Sequence, residues 1–106
     1  MSTLVIHAPR QKVQPGDYWK SFERIFDLSI GYGYAINARL FAQLTSGDGV
    51  ALLDKNKKLR AEGKLVKLTP AGKAGNGVPR YDVHIAGLKM VPYRPESLNR
   101  NGVAVI

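Results

Sequence analysis

The stretch Thr45-Ser46-Gly47-Asp48-Gly49-Val50-Ala51-Leu52-Leu53-Asp54 reads as a Gly-Asp turn feeding directly into a buried strand. A lysine-rich turn follows, Lys55-Asn56-Lys57-Lys58, and then a second extended run from Leu59 to Leu68. Together they predict a β-hairpin with dense positive charge at its tip. In the return strand Leu59, Ala61 and Gly63 share a face, but Leu65 and Val66 are adjacent apolar residues. The alternation slips near Gly63, and a bulge or bend there would let the strand curve round a barrel corner.

Upstream, Leu4-Val5-Ile6 reads as a first short strand, ended by Ala8-Pro9, with Arg10 to Gly16 as a connecting loop. Asp17 is the expected N-cap of a helix of about three turns, its carboxylate accepting from free backbone N–H groups. Trp19, Phe22, Ile25 and Phe26 recur at helical spacing, with Lys20, Glu23, Arg24 and Asp27 on the opposite face. The period is lost over Ser29 to Ile36, where Gly31-Tyr32-Gly33-Tyr34 predicts an extended segment with close backbone approach at the glycines. Asn37 caps a second short helix, Ala38 to Leu44, with Leu40, Phe41 and Leu44 facing in.

Downstream, Ala71 to Pro79 reads as a glycine-rich loop, and Tyr81, Val83 and Ile85 alternate with Asp82, His84 and Ala86 as a half-buried strand. Gly87 is expected to break it. Leu88 to Tyr93 continues as an edge, since Pro92 suits no central position. Val103 to Ile106 is a last short strand.

The chain has 106 residues, enough for one domain with one modest core, and 44% hydrophobic content excludes a disordered chain. Sixteen Lys and Arg face eight acidic residues, a formal charge of +8. Such an excess steers polyanions to the surface, nucleic acid above all, unless it serves only solubility. No cysteine is present, so disulfides, thiolate metal sites and a cysteine nucleophile are excluded, in keeping with a cytoplasmic setting. No basic leader precedes the first apolar run, so no signal peptide is expected, and no stretch is long enough to span a membrane.

The candidate chemistry is cationic and aromatic. Lys55, Lys57, Lys58, Arg60, Lys64, Lys67 and Lys73 face one acid, Glu62. Phosphate contacts need such an array, although lysines on a sheet edge also block aggregation. Tyr18, Trp19, Tyr32, Tyr34, Tyr81 and Tyr93 are the candidate flat partners for a base. Tyr32 and Tyr34 are less easily core residues, because each hydroxyl needs a partner, whereas the spacing of Trp19 also suits plain core packing. His7 and His84 have no ligand-spaced partners, which speaks against a metal. Asp48, Asp54, Glu62 and Asp82 form no spacing that demands acid–base chemistry. No nucleophile elbow and no phosphate-cradling loop is present, and no cofactor is implied.

Taken in order, Trp19, Gly31 and Tyr32, Gly47 and Asp48, Val50, Leu52, Ala61 and Gly63 resemble the PUA-like barrel superfamily, and within it most closely the EVE domains. The resemblance covers roughly residues 3 to 92 of a domain of ordinary size. It implies an α+β fold, a small β-barrel of five to six strands with two short helices. It also implies nucleic-acid binding, with a modified or flipped base held in an aromatic pocket. The expected site therefore has phosphates along Lys55, Lys57, Lys58, Arg60 and Lys64. A base sits near Trp19, Tyr32 and Tyr34, with Asn37 or Arg39 at its edge. The alternatives are a protein-interaction module pairing through the strand edge near Met90 to Tyr93, and a small enzyme of the same fold.

Overall fold

The runs Leu4-Val5-Ile6 and Val50-Ala51-Leu52-Leu53 do not alternate with polar residues, the pattern of strands covered on both faces. The computed structural model describes residues 2–8, 21–99 and 102–106. Its elements run β1 (Thr3–His7), α1 (Phe22–Leu28), β2 (Ile30–Ala35), α2 (Ala38–Phe41), β3 (Gly49–Asp54), β4 (Leu59–Lys73), β5 (Pro79–Val91) and β6 (Val103–Val105). One sheet holds all six strands in the order β2-β5-β4-β3-β1-β6. β1 is parallel to β3, with Leu4 opposite Val50 and Ile6 opposite Leu52, and all other pairs are antiparallel.

The sheet curls into a half-barrel with two short helices, a small α+β fold. Across its interior β2 reaches β1: the Tyr34 hydroxyl donates to the His7 carbonyl at 3.1 Å, and a Cβ at Gly31 would lie 3.2 Å from Ile6 Cδ1. The inner face holds the main core, including Leu4, Ile6, Val50, Leu52, Leu65, Val83 and Ile85, closed by Phe22 and Ile25 of α1. On the outer face Val5, Ala51 and Leu53 form a second cluster, covered by Tyr93, Leu98 and Ala104. Both faces of β1 and β3 are thus dry, which accounts for their unbroken apolar runs. Each fully buried Val, Leu or Ile there contributes about 1.5–3 kcal/mol.

Several boundaries differ from the sequence-based expectation. Asp17 lies outside the described residues, and α1 is capped by Ser21, whose hydroxyl accepts from Arg24 N at 3.2 Å. Ser21 has extended φ and ψ, so the described helix begins at Phe22 and has seven residues. α2 stops at Phe41, followed by three-residue turns (Gln43 N to Leu40 O, Leu44 N to Phe41 O). Phe41 does not face in fully: it stacks on Tyr81 at 4.8 Å between centroids and stays 40% exposed.

The β4–β5 hairpin is longer than its glycines suggest. β4 runs to Lys73 and β5 begins at Pro79, leaving only residues 74–78 as the tip. Gly87 does not end β5. It takes φ +67° inside a bulge, where Gly63 faces both Gly87 and Leu88, and pairing resumes at Lys89 with Glu62. A bulge at Gly63 is what the slipped alternation predicts. Beyond it, β2 covers β5 only from Arg80 to His84, so residues 86–91 pair with β4 alone.

Candidate nucleic-acid interface

The lysine turn is shaped by one buried carboxylate. Asp54, 2% exposed, accepts from the N–H groups of Asn56 and Lys57 through Oδ1, both at 3.0 Å. An aspartate bonding its own backbone two and three residues on is a strong turn former. Lys58 then takes φ +54° and closes the turn into β4. Lys55, Asn56, Lys57 and Lys58 all stand exposed. Lys57 Nζ lies 2.8 Å from Glu23 Oε1, which ties the tip to α1. This bond holds the Glu23 carboxyl below its ordinary pKa, but both partners are half-exposed, so the pair stabilises by about 1 kcal/mol at most.

His7 supports the same turn from β1. Its Nε2 accepts from the Lys55 backbone N–H at 3.2 Å, which requires that nitrogen to be unprotonated. Burial lowers the His7 pKa, Lys55 lowers it further, and Asp54 partly opposes them. The unfolded chain, with an ordinary histidine near 6.5, therefore takes up a proton before the folded one does. Stability should fall as pH drops below about 6.5 and level off once pH passes the depressed folded value. Denaturant melts between pH 8 and 5 should show this loss, and His7→Gln, which keeps an acceptor but cannot titrate, should flatten it. An unchanged slope in the variant would remove His7 as its cause.

Among the described residues, the expected site residues do not converge on one pocket. Trp19 and Tyr18 lie outside the described residues. Tyr34 is 1% exposed and packs in the main core, its hydroxyl bonded to His7 O, so it offers no face to a ligand. Arg60 is 2% exposed and is a structural clamp rather than a phosphate contact. Its Nε donates to Glu62 Oε2 at 2.8 Å, and its Nη1 reaches Glu96 Oε1 at 3.1 Å and Arg94 O at 2.9 Å. Asn37 caps α2 by accepting from Leu40 N at 2.9 Å, and Arg39 is exposed on that helix.

Tyr32 does face outward, for a local reason. Gly33 is an extra residue in β2 relative to β5, and its backbone is gripped at both ends: its N–H donates to Asp82 Oδ1 at 2.9 Å, and its carbonyl accepts from Arg80 Nη1 at 2.7 Å. Bulges re-aim side chains in this way. Gly31 points to the core, so alternation sends Tyr32 to the outer face, where it is 37% exposed.

The outer face of β4 and β5 carries the cations that charge counting alone does not place. Lys64 and Lys67 lie on it opposite Ala86 and His84, and Lys89 opposite Glu62. His84 Nε2 and Thr69 Oγ1 pair at 2.9 Å beside them. Lys64, Lys67 and Lys89 are exposed, and none makes an ion pair among the described residues. The neighbouring acids already accept from protein donors, Asp82 from Gly33 and Glu62 from Arg60. Lys89 is not among the expected phosphate contacts, although it alternates with Leu88 and Met90 on the edge expected beyond Gly87.

The four acids weighed for acid–base chemistry serve turns, a bulge and a clamp. Asp48 accepts from Thr45 N at 2.9 Å and Asp54 shapes the lysine turn, while Asp82 and Glu62 act as described. Among the described residues no helix is long and apolar enough to cross a membrane. No protein-family model, curated protein or solved structure matches the chain.

Proposed function

We propose that this chain is a non-enzymatic nucleic-acid-binding module whose half-barrel is a variant of the PUA-like, EVE-type barrel. The observation that carries the reading is the outer face of β4 and β5, where Lys64, Lys67 and Lys89 stand exposed and make no ion pair among the described residues. Tyr32 shares that face at the β2 bulge, 37% exposed. Lys55 and Lys58 extend the charge to the far end of the β3–β4 hairpin. Such lysines bind phosphate with little sequence preference and release counterions as they do so.

Fluorescence anisotropy with DNA and RNA oligonucleotides across a salt series tests this. Log affinity should fall linearly with log salt, and replacing Lys64, Lys67 and Lys89 by Ala should reduce the slope by about 2. No binding to any oligonucleotide at low salt ends the proposal. One observation favours a second reading. Residues 86–91 lack a second strand neighbour among the described residues, and a protein segment can pair there. A complex from lysate that survives nuclease and high salt would favour it.

A further inference from the structure

The bulge that turns β4 against β5 also opens a groove. It has a volume of about 380 Å³ and is lined by Glu62, Gly63, Lys64, Ala86, Gly87 and Lys89. Two glycines make its floor backbone. A Cβ on Gly63 would meet Ala86 O at 2.6 Å, whereas one on Gly87 would meet nothing within 4 Å. The space is at the small end of ligand sites, about 300–1,000 Å³, large enough for a nucleoside and far too small for a duplex.

We infer that this groove takes one unstacked base of a single-stranded nucleic acid, with Lys64 and Lys89 holding the phosphates on either side. The inference rests on the nucleic-acid reading above and adds which form of polymer is bound and where a base goes. Charge names the occupant. The two lysines flank an apolar slot, and their Cα atoms are about 8 Å apart from two residues of rise and one strand spacing. A peptide-floored slot between two cations suits a flat apolar ring between two anions.

Glu62 gives the groove a preference. Arg60 holds its Oε2, while Oε1 has no protein donor among the described residues. A carboxylate fixed in this way accepts from an exocyclic amino group, which cytosine and adenine carry and thymine and uracil lack. The groove therefore favours bases with an amino group over those without one.

The test uses the full chain and labelled oligodeoxycytidine, oligothymidine, oligocytidylate, oligouridylate and a mixed-sequence duplex, each of about twelve nucleotides, within the roughly 4–16 that one OB fold covers. Oligodeoxycytidine should bind about tenfold more tightly than oligothymidine, with the same order in RNA. Ala86→Phe fills the groove at an exposed position. It should abolish that preference and weaken single-strand binding about tenfold, while leaving the melting curve unchanged. Glu62→Gln, which keeps an acceptor for Arg60, should level the two homopolymers without weakening oligothymidine. Equal affinity for both homopolymers, or a preference that survives Ala86→Phe, overturns the inference while the broader reading stands. Binding to no nucleic acid at all overturns both.

Discussion

Arg60→Ala should destabilise the fold by about 3 kcal/mol, a fall in melting temperature on the order of 10–15 °C for a chain of this size. The Arg60 guanidinium is buried at the centre of a small network: Glu62, Glu96 and the Arg94 carbonyl accept from it. Glu96 is only 16% exposed and also accepts from Arg94 Nε at 3.1 Å, from a side chain that is itself two-thirds exposed. Removing Arg60 leaves the Glu96 carboxylate with that one solvent-facing partner among the described residues. It also loosens residues 92–99 from the outer-face cluster of Val5, Ala51 and Leu53, which Tyr93 and Leu98 cover. A companion variant separates the two causes. Arg60→Met together with Glu96→Leu removes the orphaned charge and fills the volume, and it should regain at least half of the lost stability. Arg60→Ala melting within 3 °C of the parent would mean that the network does not hold the segment.

That clamp shows where sequence reading loses its grip. Charge counting treats every cation on β4 alike, yet strand alternation assigns them different surroundings. Arg60 lies opposite Leu53, on a face covered by residues more than thirty positions away, whereas Lys64 and Lys67 lie beyond that cover. The cue was present as Arg60-x-Glu62 and Arg94-x-Glu96, two charge pairs at strand spacing, but nothing local says that they meet. Tyr34 fails for the same reason. Its hydroxyl does need a partner, and the partner is the carbonyl of His7, twenty-seven residues away. Features set by neighbours in sequence were readable. The Gly47-Asp48 turn has Gly47 at φ +95° and Asp48 bonded to Thr45 N, and the Asn37 cap sits where its residue type places it. The parallel pairing of β1 with β3, and the curl that brings β2 across to β1, depend on contacts that no local pattern records.

Gly63→Val should cost about 3 kcal/mol, against the direction that strand propensity alone predicts. Valine is among the best strand formers and glycine among the worst, so on an ordinary strand the change would stabilise by up to about 1 kcal/mol. Here the position faces two residues of the opposing strand. Any Cβ would stand 2.6 Å from Ala86 O, 3.0 Å from Ile85 Cγ2 and 3.1 Å from Leu88 N. Two of those three atoms belong to backbone, so no rotamer change relieves the clash, and the bulge itself must open. Opening it shifts the register of Lys89 against Glu62 and so dismantles the groove as well as the packing around Ile85. Gly75→Val is the control. Its Cβ would meet nothing within 4 Å, and the change should stay within about 0.5 kcal/mol of the parent. Thermal and denaturant melts of the two variants give the comparison directly. If Gly63→Val is as stable as Gly75→Val, the close approach of β5 to Gly63 is not a constraint on this fold. The two-for-one pairing that builds the groove then loses its physical basis.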